Sequence, residues 1–280
     1  MIFVIFHYQT FTTFALSNNL FFKLLIKNFL TMMFKGNFLK SIGLTTVLAA
    51  AMFLQSCEKE NGLTQSTLRF THKVGTSNVI YDSLMYTNEA SNLFSVTLLR
   101  YFISDVVLHN TSGDTFVIDT DIYVDARDTN TLTHVFTTEV PNKTFTHLTF
   151  NFGFSNEDNV SGMYPSLPES GMVWPDMMGG GYHYMKFEGK FLDNSMITNF
   201  KVHTGMLNGN ANYFTVTLPL AESISSKFFD MTLVMDLNNW FRTPNTFDLA
   251  NIIGGMMGNQ TAQTQIQQNG QDVFSVIQND

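Results

Sequence analysis

FTHLTFNFGF, running from Phe145 to Phe154, interleaves five apolar side chains with Thr, His, Thr, Asn and Gly. Side chains of a strand point alternately to opposite faces, so the stretch reads as a central strand. Its apolar face is expected to hold Phe145, Leu148, Phe150, Phe152 and Phe154, and its polar face His147. The segments on either side carry the same signature. Ser66 to Val74 (STLRFTHKV) alternates as a first strand, and Phe94 to Leu99 followed by Arg100 to Leu108 gives one or two more. Asn110 to Asp114 (NTSGD) is a turn, after which Thr115 to Asp119 resumes strand character. Tyr182 to Phe191, Asn199 to His203, Tyr213 to Leu218 and Phe229 to Asp236 read as later strands, and DVFSVI as a final one. No long 3.6-residue period occurs before the C-terminal region, where Phe247 to Met257 reads as a short helix and Asn259 to Asn269 as a polar helix or loop. The expected fold is all-β, a β-sandwich with Greek-key connections over residues 66–280.

A chain of 280 residues with 44% hydrophobic composition is long and apolar enough to bury a core. The net charge of −8, with Lys and Arg scattered singly, argues against a nucleic-acid partner. One cysteine excludes an internal disulfide and a multi-cysteine zinc site. That cysteine bears on location instead. Lys35 and Lys40 precede the apolar run Ile42 to Leu54, and Leu54-Gln55-Ser56-Cys57 follows in secretory order. The run is short for a membrane-spanning helix. The order resembles a bacterial lipobox, in which cleavage leaves the cysteine as the lipidated first residue. Residues 1–57 are therefore expected to be an upstream segment plus lipoprotein signal and 58–65 a polar tether, anchoring the chain by lipid at the cell envelope, in the periplasm or on the outer-membrane surface. The Phe-rich block before Met33 reads as upstream of the native translation start at Met32 or Met33, so His7 is set aside.

A long loop, Ser155 to Pro175, leads into GMVWPDMMGGGYHYMKFEG, Gly171 to Gly189. Loops of that length in a domain of short strands carry function or are disordered. This one concentrates Trp174, His183, Tyr182, Tyr184 and Met172, Met177, Met178 and Met185 around three successive glycines. No Ser/His/Asp pattern, phosphate-binding loop or HExxH motif occurs, and a lipidated cysteine cannot act as a nucleophile, so the chain is not expected to be an enzyme. Imidazole suits copper, zinc, iron and nickel, and thioether sulfur favours copper(I), although methionine more often fills a core. His72, His183 and His203 fall within strand patterns, whereas His109 and His134 sit beside turn-like sequence and are expected at the surface.

FTHKVG at Phe70 to Gly75, RYFISDVVL at Arg100 to Leu108, the GMVW stretch, FKVHTG at Phe200 to Gly205 and NGQDVFSV at Asn269 to Val276 occur in one order along the chain. Together they resemble the MbnP-like copper-binding family, including its lipoprotein members from Bacteroidetes-type bacteria. The resemblance spans Leu68 to Val276. It implies an exported β-sandwich that holds copper(I) with histidines and a tryptophan oxidised to kynurenine, alongside a di-haem peroxidase-like partner. The motif positions make Trp174 the modification candidate and His203, His72 and His183 the candidate ligands, with Glu188 or Asp176 orienting them; Trp240 reads as core. One departure concerns the step after the central strand. Where proteobacterial relatives commonly carry Asn-His, this chain has Ser155, Asn156, Glu157, Asp158 and Asn159, so a ligand from that step is missing, and either His72 or His183 substitutes or copper binding is lost in this branch while the sandwich persists. The competing class is a surface adhesion or glycan-binding module, with Trp174, Tyr182 and Tyr184 as an aromatic platform.

Overall fold

In the computed structural model the described residues are 65–279, apart from 137, 138, 142, 225 and 226. The signal segment, Cys57 and nearly all of the tether lie outside them. The strands in chain order are β1 (Ser66–Val74), β2 (Ser77–Asn78), β3 (Tyr86–Thr87), β4 (Leu93–Phe94), β5 (Leu98–Asn110), β6 (Thr115–Asp125) and β7 (Thr133–Phe136). Then follow β8 (Phe145–Phe152), β9 (Met185–Asp193), β10 (Met196–Thr204), β11 (Phe214–Ile224), β12 (Asp230–Asp236), the helix α1 (Gln260–Asn269) and β13 (Phe274–Gln278). They form two sheets, giving the all-β sandwich. The five-stranded sheet runs β13-β12-β1-β2 with β7 also on β1, and β1 and β12 are parallel from Thr67↔Asp230 to Lys73↔Asp236. The eight-stranded sheet runs β11-β8-β5-β9-β4-β3, with β10 on β9 and β6 on β5.

β8 lies between β5 and β11, as its pattern predicts. Its apolar face breaks strict alternation at one point. His147 pairs with His109 and Phe145 with Asn110, so Thr146 is an extra residue, and this shift of register lets both Phe145 and Leu148 turn inward. Phe150 and Phe152 join them in the core between the sheets. Phe154 does not. It lies beyond the end of β8 in a separate aromatic cluster with Phe102, Met172, Tyr182 and Tyr184.

The two sheets meet through aromatic edges, which suit the ring quadrupole. Phe274 of β13 stands at 87° to Phe150 with centroids 5.0 Å apart, and Phe70 of β1 meets Tyr101 of β5 edge-on at 6.4 Å. Two stretches differ from expectation. β9 begins at Met185, because Tyr182 is engaged only in a single bridge with Val173. Phe247 to Met257 supplies one short turn, Leu249–Ile252, capped by Asp248. The polar segment after it is the true helix. Asn259 caps α1 through Ala262 N, and Ala262, Gln263, Ile266 and Asn269 line its buried face at helical spacing. His109 and His134 are half-buried and partnered, by Thr149 Oγ1 at 2.6 Å and by Asp119 at 2.7 Å.

His72 sits on the inward row of β1 with Leu68 and Phe70. Its Nε2 lies 3.0 Å from the Tyr101 hydroxyl, and burial pushes its pKa down to about 4. The unfolded chain holds that proton up to the ordinary imidazole value near 6.5, so between about 6.5 and 4 unfolding takes up a proton and stability falls as pH falls. In urea titrations the His72→Leu/Tyr101→Phe double variant is expected to lose up to one proton of that dependence, about 1.4 kcal/mol per pH unit. An identical acid slope in variant and parent would refute the assignment.

Candidate functional site

The site begins where the large sheet forks. β5 pairs with β9 through Tyr101 and with β8 from Ile103 onward. Phe102 N donates to Tyr184 O, and Gly153 N donates to Phe102 O, both at 3.0 Å. Phe102 and its cluster fill the opening, with Phe102 4.8 Å from Phe154 and stacked on Tyr164 at 5.4 Å. The long loop is thereby given a core of its own.

Hydrogen bonds fix the loop's return. Asn159 Oδ1 accepts from Tyr182 N at 2.9 Å, Ser161 Oγ accepts from Gly181 N at 2.7 Å, and Tyr182 OH accepts from Tyr164 N at 2.7 Å. Gly179, Gly180 and Gly181 all have positive φ, which lets the chain reverse where a side chain would be strained. Trp174 N then donates to Gly181 O at 2.9 Å and His183 N to Met172 O at 2.6 Å, so Trp174 and His183 lie side by side.

His203 comes from the end of β10, in register with Lys186 of β9. The segment around it is clamped by the C-terminal helix. Gln263 Nε2 donates to His203 O at 2.9 Å, Gly205 N donates to Gln263 Oε1 at 3.4 Å, and Asn212 Nδ2 donates to Gly205 O at 2.7 Å. Trp174 lies flat against Gly205; a Cβ there would sit 2.7 Å from the indole Cδ2. The glycine of the VHTG motif is the floor under the tryptophan.

Three rings result, each edge-on to the next. Trp174 and His183 have centroids 4.7 Å apart at 80°, and His183 and His203 are 5.1 Å apart at 84°. Trp174 is fully buried, and His183 and His203 are 5% and 8% exposed. Burial lowers both imidazole pKa values. For His183 the neighbouring Lys186 adds to this and the carbonyls of Met172 and Val173 oppose it, leaving the value near 3. For His203 the main opposing influence is Glu188, whose Oε1 lies 2.7 Å from Nε2. Each ring has one nitrogen committed. His183 Nδ1 is 3.0 Å from Met172 O and His203 Nε2 faces a carboxylate, so both nitrogens donate and the lone pairs fall on His183 Nε2 and His203 Nδ1. Two neutral imidazoles with assigned lone pairs are a donor set for a soft, low-coordinate ion.

Of the sequence candidates, His203, His183 and Trp174 come together. His72 does not join them. It projects into the core from β1 onto Tyr101, whereas His203, Lys186 and Glu188 lie on the opposite face of the large sheet from Tyr101, Phe187 and Val202. Glu188 orients His203, while Asp176 approaches Gly180 instead. The methionines split as a packing role implies: Met172 and Met185 are fully buried, and Met177 is 87% exposed. Trp240 is fully buried, with Nε1 donating to Met235 Sδ at 3.5 Å. Sequence reading missed Gln263, Asn212 and Lys186, whose Nζ donates to Gly171 O at 2.7 Å. A buried glutamine inside a glutamine-rich helix leaves no compositional mark. Among the described residues no three His, Cys, Asp or Glu side chains converge as a metal cluster.

Fold and site together define an all-β sandwich protein in which the segment between β8 and β9 and the end of β10 set a pair of neutral imidazoles against a buried indole. Residues 64–261 match the MbnP family model. The chain belongs to the MbnP family. Among solved structures it is similar to MbnP from Methylosinus trichosporium, with a TM-score of 0.53, 15% identity and coverage of 77% of this chain and 99% of that one. At that identity the likeness is one of fold. No curated protein matches the chain.

Gly205→Ala tests the floor under Trp174. The added methyl is expected to cost about 1–3 kcal/mol of overpacking in urea unfolding. In a Trp240→Phe background the emission of Trp174 should shift as well; unchanged stability and emission would show that the indole is not held there.

Proposed function

We propose that this protein is an exported copper(I)-binding protein of the cell envelope, held to the membrane by a lipid on Cys57, that serves copper acquisition or handling and is not an enzyme. The observation that carries this reading is the meeting of His183 and His203, both buried and neutral, beside Trp174. Copper(I) is the cargo. His183 Nε2 and His203 Nδ1 are the nitrogens that would hold it, and neither must first lose a proton at neutral pH. The indole N–H is only a donor and has no lone pair to give. Trp174 Nε1 has no hydrogen-bond partner among the described residues although it is fully buried. Oxidation of Trp174 to kynurenine would place an aniline-type nitrogen next to the imidazoles, and a di-haem peroxidase-like partner is the class of protein that would carry it out. The family membership supports the copper assignment at the level of its relatives. The competing glycan-binding reading needs an exposed aromatic platform, and the full burial of Trp174, Tyr182 and Tyr184 weighs against it.

The test is anaerobic copper(I) titration of the full chain against a competing chelator. His203→Ala and His183→Ala are each expected to lose the competition, and His72→Ala to retain it. Binding unchanged in both of the first two variants would overturn the proposal.

Protein purified from its native host is expected to carry, on the peptide containing Trp174, the exchange of one ring carbon for one oxygen that converts tryptophan to kynurenine. Intact tryptophan at that position in copper-loaded host protein would remove the modification from the reading and leave the two imidazoles.

A further inference from the structure

We propose that His109 and His147 form a second metal site at the surface, a cross-strand imidazole pair that takes up a hydrated divalent transition ion, copper(II) or zinc(II). The two residues are direct register partners on β5 and β8. Their rings lie parallel, 8° apart in plane, with centroids 4.7 Å apart. Both lie on the outer face of the large sheet beside Thr149, whose register partner is Val107. Directly opposed residues on antiparallel strands have fixed Cβ positions, so the ladder has already placed the roots of both side chains and only their outer torsions remain to be set on binding.

Each ring has one nitrogen engaged by a threonine. His109 Nε2 is 2.6 Å from Thr149 Oγ1, and His147 Nδ1 is 3.3 Å from Thr146 Oγ1. Among the described residues neither ring has another hydrogen bond, which leaves His109 Nδ1 and His147 Nε2 for a ligand. Metal–nitrogen bonds of about 2.0–2.1 Å require the two donor atoms to close to roughly 3 Å. Parallel rings at this spacing reach that by tilting about their outer torsion, which both partly exposed side chains can do if the Thr149 and Thr146 contacts lengthen as the rings turn.

The pair is chemically and spatially distinct from the loop site. His109 lies seven residues along β5 from Phe102, roughly 20 Å away once the bulge between Ser104 and Val107 is allowed for. Solvent on the open side would complete the coordination shell of a divalent ion, and copper(II) is expected to bind more tightly than zinc(II). The proposal stands independently of copper(I) binding by His183 and His203.

The experiment adds copper(II) or zinc(II) to the full chain carrying His183→Ala and His203→Ala, which removes the other pair. Copper(II) electron paramagnetic resonance should show hyperfine coupling to two nitrogens. His109→Asn and His147→Asn should each reduce it to one and weaken binding ~10-fold or more, the loss of the chelate. In the parent chain, zinc(II) should shift the imidazole carbon-bound proton resonances of both His109 and His147 together at one equivalent, a readout that needs no folded variant. Resonances of His109 and His147 that do not move, or unaltered affinity in both Asn variants, would overturn the site.

Discussion

One strand edge can hold only one neighbour at a given residue, because paired strands lie about 4.8 Å apart along the hydrogen-bonding direction. β5 offers the same edge to two strands in succession, β9 up to Tyr101 and β8 from Ile103. Phe102 is the residue where they part, donating to Tyr184 and accepting from Gly153. The divergence opens the sheet on its outer face, and an open sheet face that is not filled exposes apolar surface and backbone polar groups. Phe102, Phe154, Met172, Tyr182 and Tyr184 fill it. Four of those five residues come from the long segment between β8 and β9. The loop is therefore ordered by the same event that splits the sheet, and Trp174 and His183 sit on that loop.

A second element secures the other half of the site. His203 ends an edge strand, where a backbone would ordinarily be left to water. Gln263 of α1 spends both ends of its amide on this segment, and Gln260 reaches the same region through Asn212. Both α1 and the long loop are thus needed to exclude water from the imidazoles. That exclusion, more than any charge, keeps His183 and His203 neutral, since burial is the largest influence on each.

The fold was legible wherever a strand had one buried face. Ser66 to Val74 alternates because β1 has the core on one side, and the alternation appears as written. Legibility failed where a long-range partner set the outcome. The register shift at Thr146 depends on β5 and β11, not on the local letters. The start of β9 depends on Val173 claiming Tyr182. At the site, the soft and aromatic residues of the GMVW stretch and the histidine of VHTG were visible as types. Their grouping was not, because His72 and His203 are equally plausible strand histidines until the sheet shows which face each occupies. The clamp by Gln263 left no sequence signal, since its value lies in burial and geometry alone.

The unpartnered Trp174 Nε1 bears on how this site is built. An orphaned buried N–H costs about 1–3 kcal/mol and is rare in native proteins. The backbone around it is well supplied, since Trp174 N, His183 N, His203 O, Gly205 N and Gly205 O all have partners, and the unmet groups are side-chain atoms, Trp174 Nε1 with Thr204 Oγ1 and Tyr184 OH nearby in the chain. A phenylalanine at this position would bury a comparable ring without the unmet donor. The indole is also pressed against Gly205 so closely that no larger residue fits beneath it, which fixes its plane relative to His183. A ring held this firmly, with its one polar atom left without an acceptor beside two imidazoles, is costly as packing alone. The same arrangement is economical if the nitrogen-bearing edge of that ring is to be changed chemically, because the donor that is unsatisfied in the indole is replaced by groups that can meet a metal or its shell.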